Sequence, residues 1–148
     1  LCRVWADTFQ NVLPEKIVRE IPQAAYDYHF LKAQLQDSSM KFILAKNADN
    51  NIVGVINAKQ DQKVIYINRL YIDRNFQRQG LGARLIAEII NCFPSAEKII
   101  LEVIEKNTPA VRFYLKNGFT VAKRDTSEIG GNRLDVLVLQ KEIPSNFL

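Results

Sequence analysis

Apolar residues recur at helical spacing early in the chain, then run together or alternate, and then switch between the two patterns. Leu1 to about Val12 reads as a helix. Pro14 suits the first turn of a short helix through Glu20, where a missing N–H costs nothing. Pro22 can open another helix, in which Ala24, Tyr28, Leu31 and Leu35 recur at spacings of four, three and four, ending near Asp37. Strand signals follow. Phe42–Ala45 is short and apolar, Asn47–Asn51 is a turn cluster, and Ile52–Ile56 returns as a strand. After the polar turn Gln60–Lys63, Val64–Ile72 is a long β-branched and aromatic run, so a meander of antiparallel strands is expected.

From Leu81 the apolar positions Leu81, Leu85, Ile86, Ile89 and Ile90 make one face of a helix. Lys98–Ile104 is nearly continuous apolar, as a central strand covered on both faces would be. Asn107 or Thr108 can cap the next helix, Pro109 sits in its first turn and Gly118 closes it. Phe119–Arg124 and Leu134–Gln140 read as a last pair of strands joined across Gly130 and Gly131. Strands separated by helices in the second half imply parallel neighbours there. The expected class is α+β: a mixed, mainly antiparallel sheet of about six strands between helices, a three-layer α-β-α sandwich.

Composition narrows the function without naming it. The 148 residues suit one domain, and 47% hydrophobic with 24% charged residues is an ordinary globular balance. No apolar run reaches membrane-span length. A net charge of +4 is too scattered for a nucleic-acid surface, yet it suits a small polyanionic ligand. Cys2 and Cys92 show no metal-ligand spacing; Cys92 reads as a small buried hydrophobe and the setting as reducing and cytoplasmic. His29, the single histidine, reads as a helix-surface residue, so neither a histidine metal site nor a Cys–His triad is supported. The absence of a leading Met suggests a clipped N-terminus. A homodimer is left open.

The stretch Gln77-Arg78-Gln79-Gly80-Leu81-Gly82 joins a strand to a helix. Such a junction is an anion site, because the first helical N–H groups lack internal partners and the helix dipole turns its positive end toward them. Walker A fails, since Gly82 is followed by Ala83 and Arg84. The dinucleotide fingerprint fails, since its third glycine is Leu85 here and the loop follows a meander. Gln/Arg-x-x-Gly-x-Gly/Ala is met by Gln77, Gly80 and Gly82. Taken alone, this hexapeptide fits a plain tight turn equally well.

The second half adds a motif. "LEVIEKNTPAVRFYLKNGF", residues 101–119, carries Asn107, Ala110, Tyr114, Gly118 and Phe119. With the glycine loop at its distance upstream, it resembles the GNAT superfamily of acyl-CoA N-acyltransferases over about Phe42 to Val138. Residues 1–40 match only in having helices, and the family's usual first strand is missing. The resemblance implies acetyl-CoA as cosubstrate, no metal, and a sheet that splays between Val64–Ile72 and Lys98–Ile104. It implies that the backbone of Leu70, Tyr71 and Ile72 holds the pantetheine arm like an added strand. The amides of Arg78, Gln79, Gly80, Leu81, Gly82 and Ala83 would hold the pyrophosphate, with Gly80 and Gly82 leaving it room and Arg78 adding charge. A backbone N–H near Leu70, where the family distorts this strand, would face the thioester oxygen.

Tyr114 is implied as the general acid for the departing thiolate, although its position alone also suits a core aromatic. Asn107 either binds the cosubstrate through its side chain or only caps the helix. Glu102, twelve residues before Tyr114, stands where relatives acting on N-terminal amines carry a base. Its plainer role is a strand residue at the polar edge of the sheet, and Glu105 is the second choice of base. Asp27, Asp37 and Glu128 are candidates to line a cationic acceptor site, or are solvated surface. "RLYIDRNFQRQGLG" and "SEIGGNRLDVLVLQKEI" resemble the branch acting on polyamines and other small amines, whereas Glu102 resembles the branch acting on protein N-termini. The implied function is N-acetyl transfer from acetyl-CoA to a primary amine. The rivals are a non-catalytic acyl-CoA-binding module and, far behind, a DNA-associated protein with steeply salt-dependent binding.

Overall fold

The computed structural model describes residues 9–10, 13–16, 18–19, 28–129 and 131–145. The expected first helix, Ala24, Asp27 and Cys2 lie largely or wholly outside these residues. The turn opened by Pro14 is present, with the Val18 amide donating to the Pro14 carbonyl at 3.1 Å. The elements that follow are α1 (Tyr28–Gln36), β1 (Met40–Lys46), β2 (Ile52–Asp61), β3 (Val64–Ile72), a 3-10 turn (Arg74–Phe76), α2 (Leu81–Asn91), β4 (Lys98–Ile104), α3 (Thr108–Lys116), β5 (Thr120–Ile129) and β6 (Asn132–Glu142).

The strands form one sheet in the order β1-β2-β3-β4-β6-β5. Every neighbouring pair is antiparallel except β3 and β4. The turns explain the meander. Asn47 Oδ1 accepts from the amides of Asp49 and Asn51, and Asn50 takes the left-handed conformation that asparagine tolerates. At the other end Ile129 pairs with Asn132 across Gly131, whose φ is +77°.

Two cores cover the two faces. On one, Leu85, Ile86 and Ile89 of α2 and Tyr114 of α3 meet Ile56, Ile65, Ile67, Ile99, Leu101 and Leu139. Full burial of each such aliphatic side chain contributes about 1.5–3 kcal/mol. On the other, Phe9, Leu13 and Val18 pack with Ile104 and Val136. With Gln34 of α1 bonded to Arg69 on that same side, the expected three layers are present.

Local expectations change. β2 runs on to Asp61, so the expected turn at Gln60–Lys63 narrows to Gln62 and Lys63. Leu35 is 65% exposed, because α1 turns Leu31 and Gln34 toward the sheet instead. Cys92 is exposed, because it follows the last turn of α2 and Phe93 takes the buried place beyond Ile89. The last strands run to Ile129 and Glu142, since the ladder with β6 extends β5 past Arg124, where its sequence is too polar to read as strand, and pairing with β4 carries β6 on to Glu142. Among the described residues no helix is long and apolar enough to cross a membrane, and no group of His, Cys, Asp and Glu is poised to hold a metal.

Candidate active site

The site begins where the parallel ladder stops. β3 and β4 pair from Val64 with Lys98 to Ile67 with Leu101, and no further. Beyond that point Leu70, Tyr71 and Ile72 still pair with Ile56, Val55 and Gly54 of β2, so only one side of this backbone is used. A peptide edge left free this way can take an added strand-like partner. The expected splay is therefore present.

A bulge shapes this edge. Asn57 pairs with Arg69 and Ala58 with Ile67, which leaves Asn68 as an extra residue in β3. The insertion shifts the alternation of faces. Ile65 and Ile67 before it, and Leu70 and Ile72 after it, all turn to the α2–α3 core. Tyr71 turns to the opposite core. The distortion expected near Leu70 lies at Asn68.

The loop after β3 is built from short bonds. Asp73 Oδ1 accepts from the Asn75 amide at 3.1 Å and starts the 3-10 turn. Gln77 Nε2 reaches back to the Ile72 carbonyl at 3.0 Å, so the side chain of this motif residue braces the loop. Arg78 has φ +61° and Gly80 φ +78°, and Gly80 is the N-cap of α2. The first helical bond runs from the Arg84 amide to the Gly80 carbonyl. The amides of Leu81, Gly82 and Ala83 thus precede the helical ladder, and Gln79 lies exposed beside them.

The two glycines do different things. A Cβ on Gly80 would meet nothing within 4 Å, so the mouth of the loop is open there. A Cβ on Gly82 would lie 2.8 Å from Cζ of Phe113. Gly82 is therefore small because α2 and α3 pack closely at this point, a reason its place in a phosphate motif does not contain. Gly82→Ala should destabilise the fold by about 1–3 kcal/mol, the usual cost of overpacking. Gly80→Val should weaken acetyl-CoA binding and also strain a backbone whose φ of +78° side chains rarely adopt, and Arg78→Ala should weaken binding less. Denaturant unfolding and calorimetric titration separate the cases. A fully stable Gly82→Ala, or parent affinity in Gly80→Val, would contradict the respective assignment.

Tyr114 is 8% exposed. Its place follows from the close of α3. The Phe119 amide donates to the Tyr114 carbonyl at 3.1 Å, with Gly118 at φ +89° between them. This left-handed cap folds the next residue back onto the helix. Phe119 accordingly packs edge-on against the Tyr114 ring, centroids 5.4 Å apart, and Phe113 does so at 5.1 Å. The Tyr-x-x-x-Gly-Phe pattern is thus a device that clamps the phenol.

Burial pushes the Tyr114 hydroxyl well above the ordinary tyrosine range, and Tyr71 adds to the effect. The phenol keeps its proton at any physiological pH. An unfolded tyrosine ionises near pH 10. With the folded value raised, the stability tied to this proton is full below about pH 10 and is lost as pH rises above it. Tyr114→Phe should flatten that alkaline loss in denaturant titrations; parallel losses in parent and variant would show that the phenol is not held in this way.

Asn107 is buried and caps α3, its Oδ1 accepting from the Ala110 amide at 3.4 Å. Glu102 is exposed, on the face of β4 that also carries Ile104. It therefore stands on the side of the sheet opposite α3, just past the last parallel pair. Glu102 and Tyr114 can face one reacting group only through the splay. Its carboxylate has no ion pair or hydrogen bond among the described residues. Glu105 differs, because Arg124 grips its Oε1 through both Nε and Nη2. That pairing, at the rim of a groove of about 400 Å³ shared with Asp125, Thr126 and Asp135, makes it the poorer base. Asp37 is exposed and occupied by Ser39, and Glu128 is exposed near the end of β5.

Reading by motif missed Asn57 and Arg69. Arg69 Nη1 donates to Gln34 Oε1 at 2.7 Å and lies 3.4 Å from Asn57 Oδ1. Asn57 is a polar residue within the apolar run of β2, and that break was the available signal.

Comparison with known proteins agrees with this geometry. The model of the acetyltransferase (GNAT) family matches residues 3–119. An uncharacterized N-acetyltransferase of Mycobacterium bovis is 25% identical over 149 residues, which covers 97% of this chain and 96% of that protein. N-alpha-acetyltransferase 30 of Dictyostelium discoideum is 30% identical over 116 residues, covering 73% of this chain and 60% of its own. The chain spans from 22% to 96% of the length of the curated relatives it matches. Among solved structures, the PaiA N-acetyltransferase of Thermoplasma acidophilum, in complex with coenzyme A, superposes with a TM-score of 0.82 at 23% identity. That match covers 96% of this chain and 87% of that one. The match over residues 3–119, with a parallel pair that parts above a glycine loop, shows that the chain belongs to the acetyltransferase (GNAT) family.

Proposed function

We propose that the protein moves an acetyl group from acetyl-CoA to a primary amine of a small molecule or peptide, by direct attack of the amine on the thioester. The observation that carries this reading is the parallel β3–β4 pair that parts after Ile67 and Leu101, with a helix N-terminus at one end and a buried phenol beside it. The residues fit the cosubstrate. The free edge of Leu70–Ile72 suits the amides of a pantetheine arm, and the open mouth at Gly80 with the first amides of α2 suits a pyrophosphate. Acetyl-CoA supplies an activated acyl group and a thiolate leaving group.

The chain's own residues supply the proton transfers. An alkyl-ammonium is almost wholly charged at neutral pH, and holding it neutral costs about 4–5 kcal/mol at 1.36 per pKa unit. Glu102 takes that proton, directly or through water. Tyr114 holds a proton on its Oη and gives it to the departing sulfur. A backbone N–H beside the Asn68 bulge faces the thioester oxygen. Cys2 and Cys92 support a reducing, cytoplasmic setting. The test is an acceptor screen with acetyl-CoA, followed as release of free thiol. Amine-dependent release is expected. Binding of acetyl-CoA with no release across the panel would leave a binding module in its place.

A further inference from the structure

Two opposite charges stand on either side of the point where β3 and β4 part. Glu102 follows Leu101, the last residue of β4 paired with β3, and turns away from the α2–α3 core that Leu101 and Val103 enter. Arg69 follows the bulge in β3 and turns the same way, since Leu70 and Ile72 enter that core and Tyr71 enters the other. Were the alternation regular through Asn68, Arg69 would share the parity of Ile65 and Ile67 and point to the opposite face. The bulge therefore puts Arg69 on the face of the sheet that also carries Glu102.

Among its partners Arg69 has Gln34 of α1 and Asn57 of β2. Asn57 is 0% exposed. Its Oδ1 faces Arg69, but its Nδ2 meets no hydrogen-bond acceptor among the described residues. A buried amide left unpaired is costly, so this N–H calls for an acceptor from outside the chain, a water or a bound molecule. A guanidinium and an unpaired amide N–H together favour a carbonyl or carboxylate oxygen and disfavour a second ammonium. Glu102, across the cleft, favours the ammonium itself. An amine whose neighbouring carbon bears a carbonyl group matches both sides, and a polyamine matches only one.

We propose that Arg69 and Asn57 recognise an oxygen acceptor beside the reacting amine, so that the preferred acceptors are α-amino compounds, free or at the start of a peptide, rather than polyamines. This rests on the acetyl-transfer reading and deepens it. The experiment measures acetyl-CoA binding by calorimetry, then kcat/KM with alanine, alaninamide, alanyl-alanine, propylamine and spermidine, for the parent, Arg69→Ala and Arg69→Lys. In the parent, one or more of the three oxygen-bearing amines should exceed propylamine and spermidine by about tenfold to a hundredfold. Preference for alanine alone identifies a carboxylate, and preference for the amide and dipeptide a neutral carbonyl. Arg69→Ala should lose this preference mainly through KM, with acetyl-CoA affinity unchanged, and Arg69→Lys should restore part of it. A parent that uses propylamine or spermidine as well as or better than the α-amino compounds would overturn the proposal and leave acetyl transfer standing. No binding of acetyl-CoA, or no thiol release with any amine, would overturn both. Should Arg69→Ala fail to fold, the parent's panel decides alone.

Discussion

Tyr114→Phe should turn over about 10²–10⁴-fold more slowly than the parent with a verified acceptor and saturating acetyl-CoA, the usual worth of general acid catalysis. The substitution keeps the ring, its buried area and its edge-on contacts with Phe113 and Phe119. Only the hydroxyl is removed. Cofactor affinity should barely change, because the lost interaction belongs to the transition state. Steady-state kinetics combined with calorimetric titration checks both halves. A parent-like turnover number would strike Tyr114 from the mechanism and leave it a core aromatic. The raised affinity of its oxygen for the proton, caused by burial, has a direct consequence here. A phenol that keeps its proton across the working range should leave no ionisation of its own in the pH profile near neutrality.

Glu102→Gln should lower turnover by about 10²–10⁴ near neutral pH, and the deficit should shrink as pH rises. The sign follows from the substrate. Below its pKa near 10.4 an alkylamine gains about tenfold in neutral form for each pH unit, so a variant without a base climbs with pH. The parent's profile should be flatter, because the carboxylate performs that step. Glutamine has the same shape and cannot accept the proton. A pH–rate profile of the two proteins decides the matter. Equal profiles would move the base elsewhere, and Glu105, gripped by Arg124, is a poor substitute.

Much of the architecture was legible in order. Val64–Ile72 and Lys98–Ile104 match their expected limits, because both are continuous β-branched and aromatic runs bounded by polar turns. The helix from Leu81 was legible from its apolar face, and the cap of the next helix was narrowed to Asn107 or Thr108, of which Asn107 takes the place. β5 was legible only as far as Arg124, because its exposed, polar second half carries no burial pattern; that half exists through its ladder with β6. The bulge at Asn68 left a trace that an expectation of a uniform strand passes over. The apolar core positions change from odd to even between Ile67 and Leu70, and only an inserted residue lets both sets share one face.

The sequence by itself determined the element order, the glycine loop at the start of α2, and the spacing from Gly82 to Tyr114, because these depend on local propensity, on capping and on chain distance. Tertiary structure decided what those residues meet. It made Gly82 a contact point for Phe113 and Gln77 a brace for the Ile72 carbonyl. It tied Glu105 to Arg124 while leaving Glu102 exposed past the last parallel pair. It also brought Gln34, Asn57 and Arg69 together from three elements. None of these pairings has a local signature. Each arises because the sheet sets distant strands side by side, and its twist and bulge choose which side chains share a face.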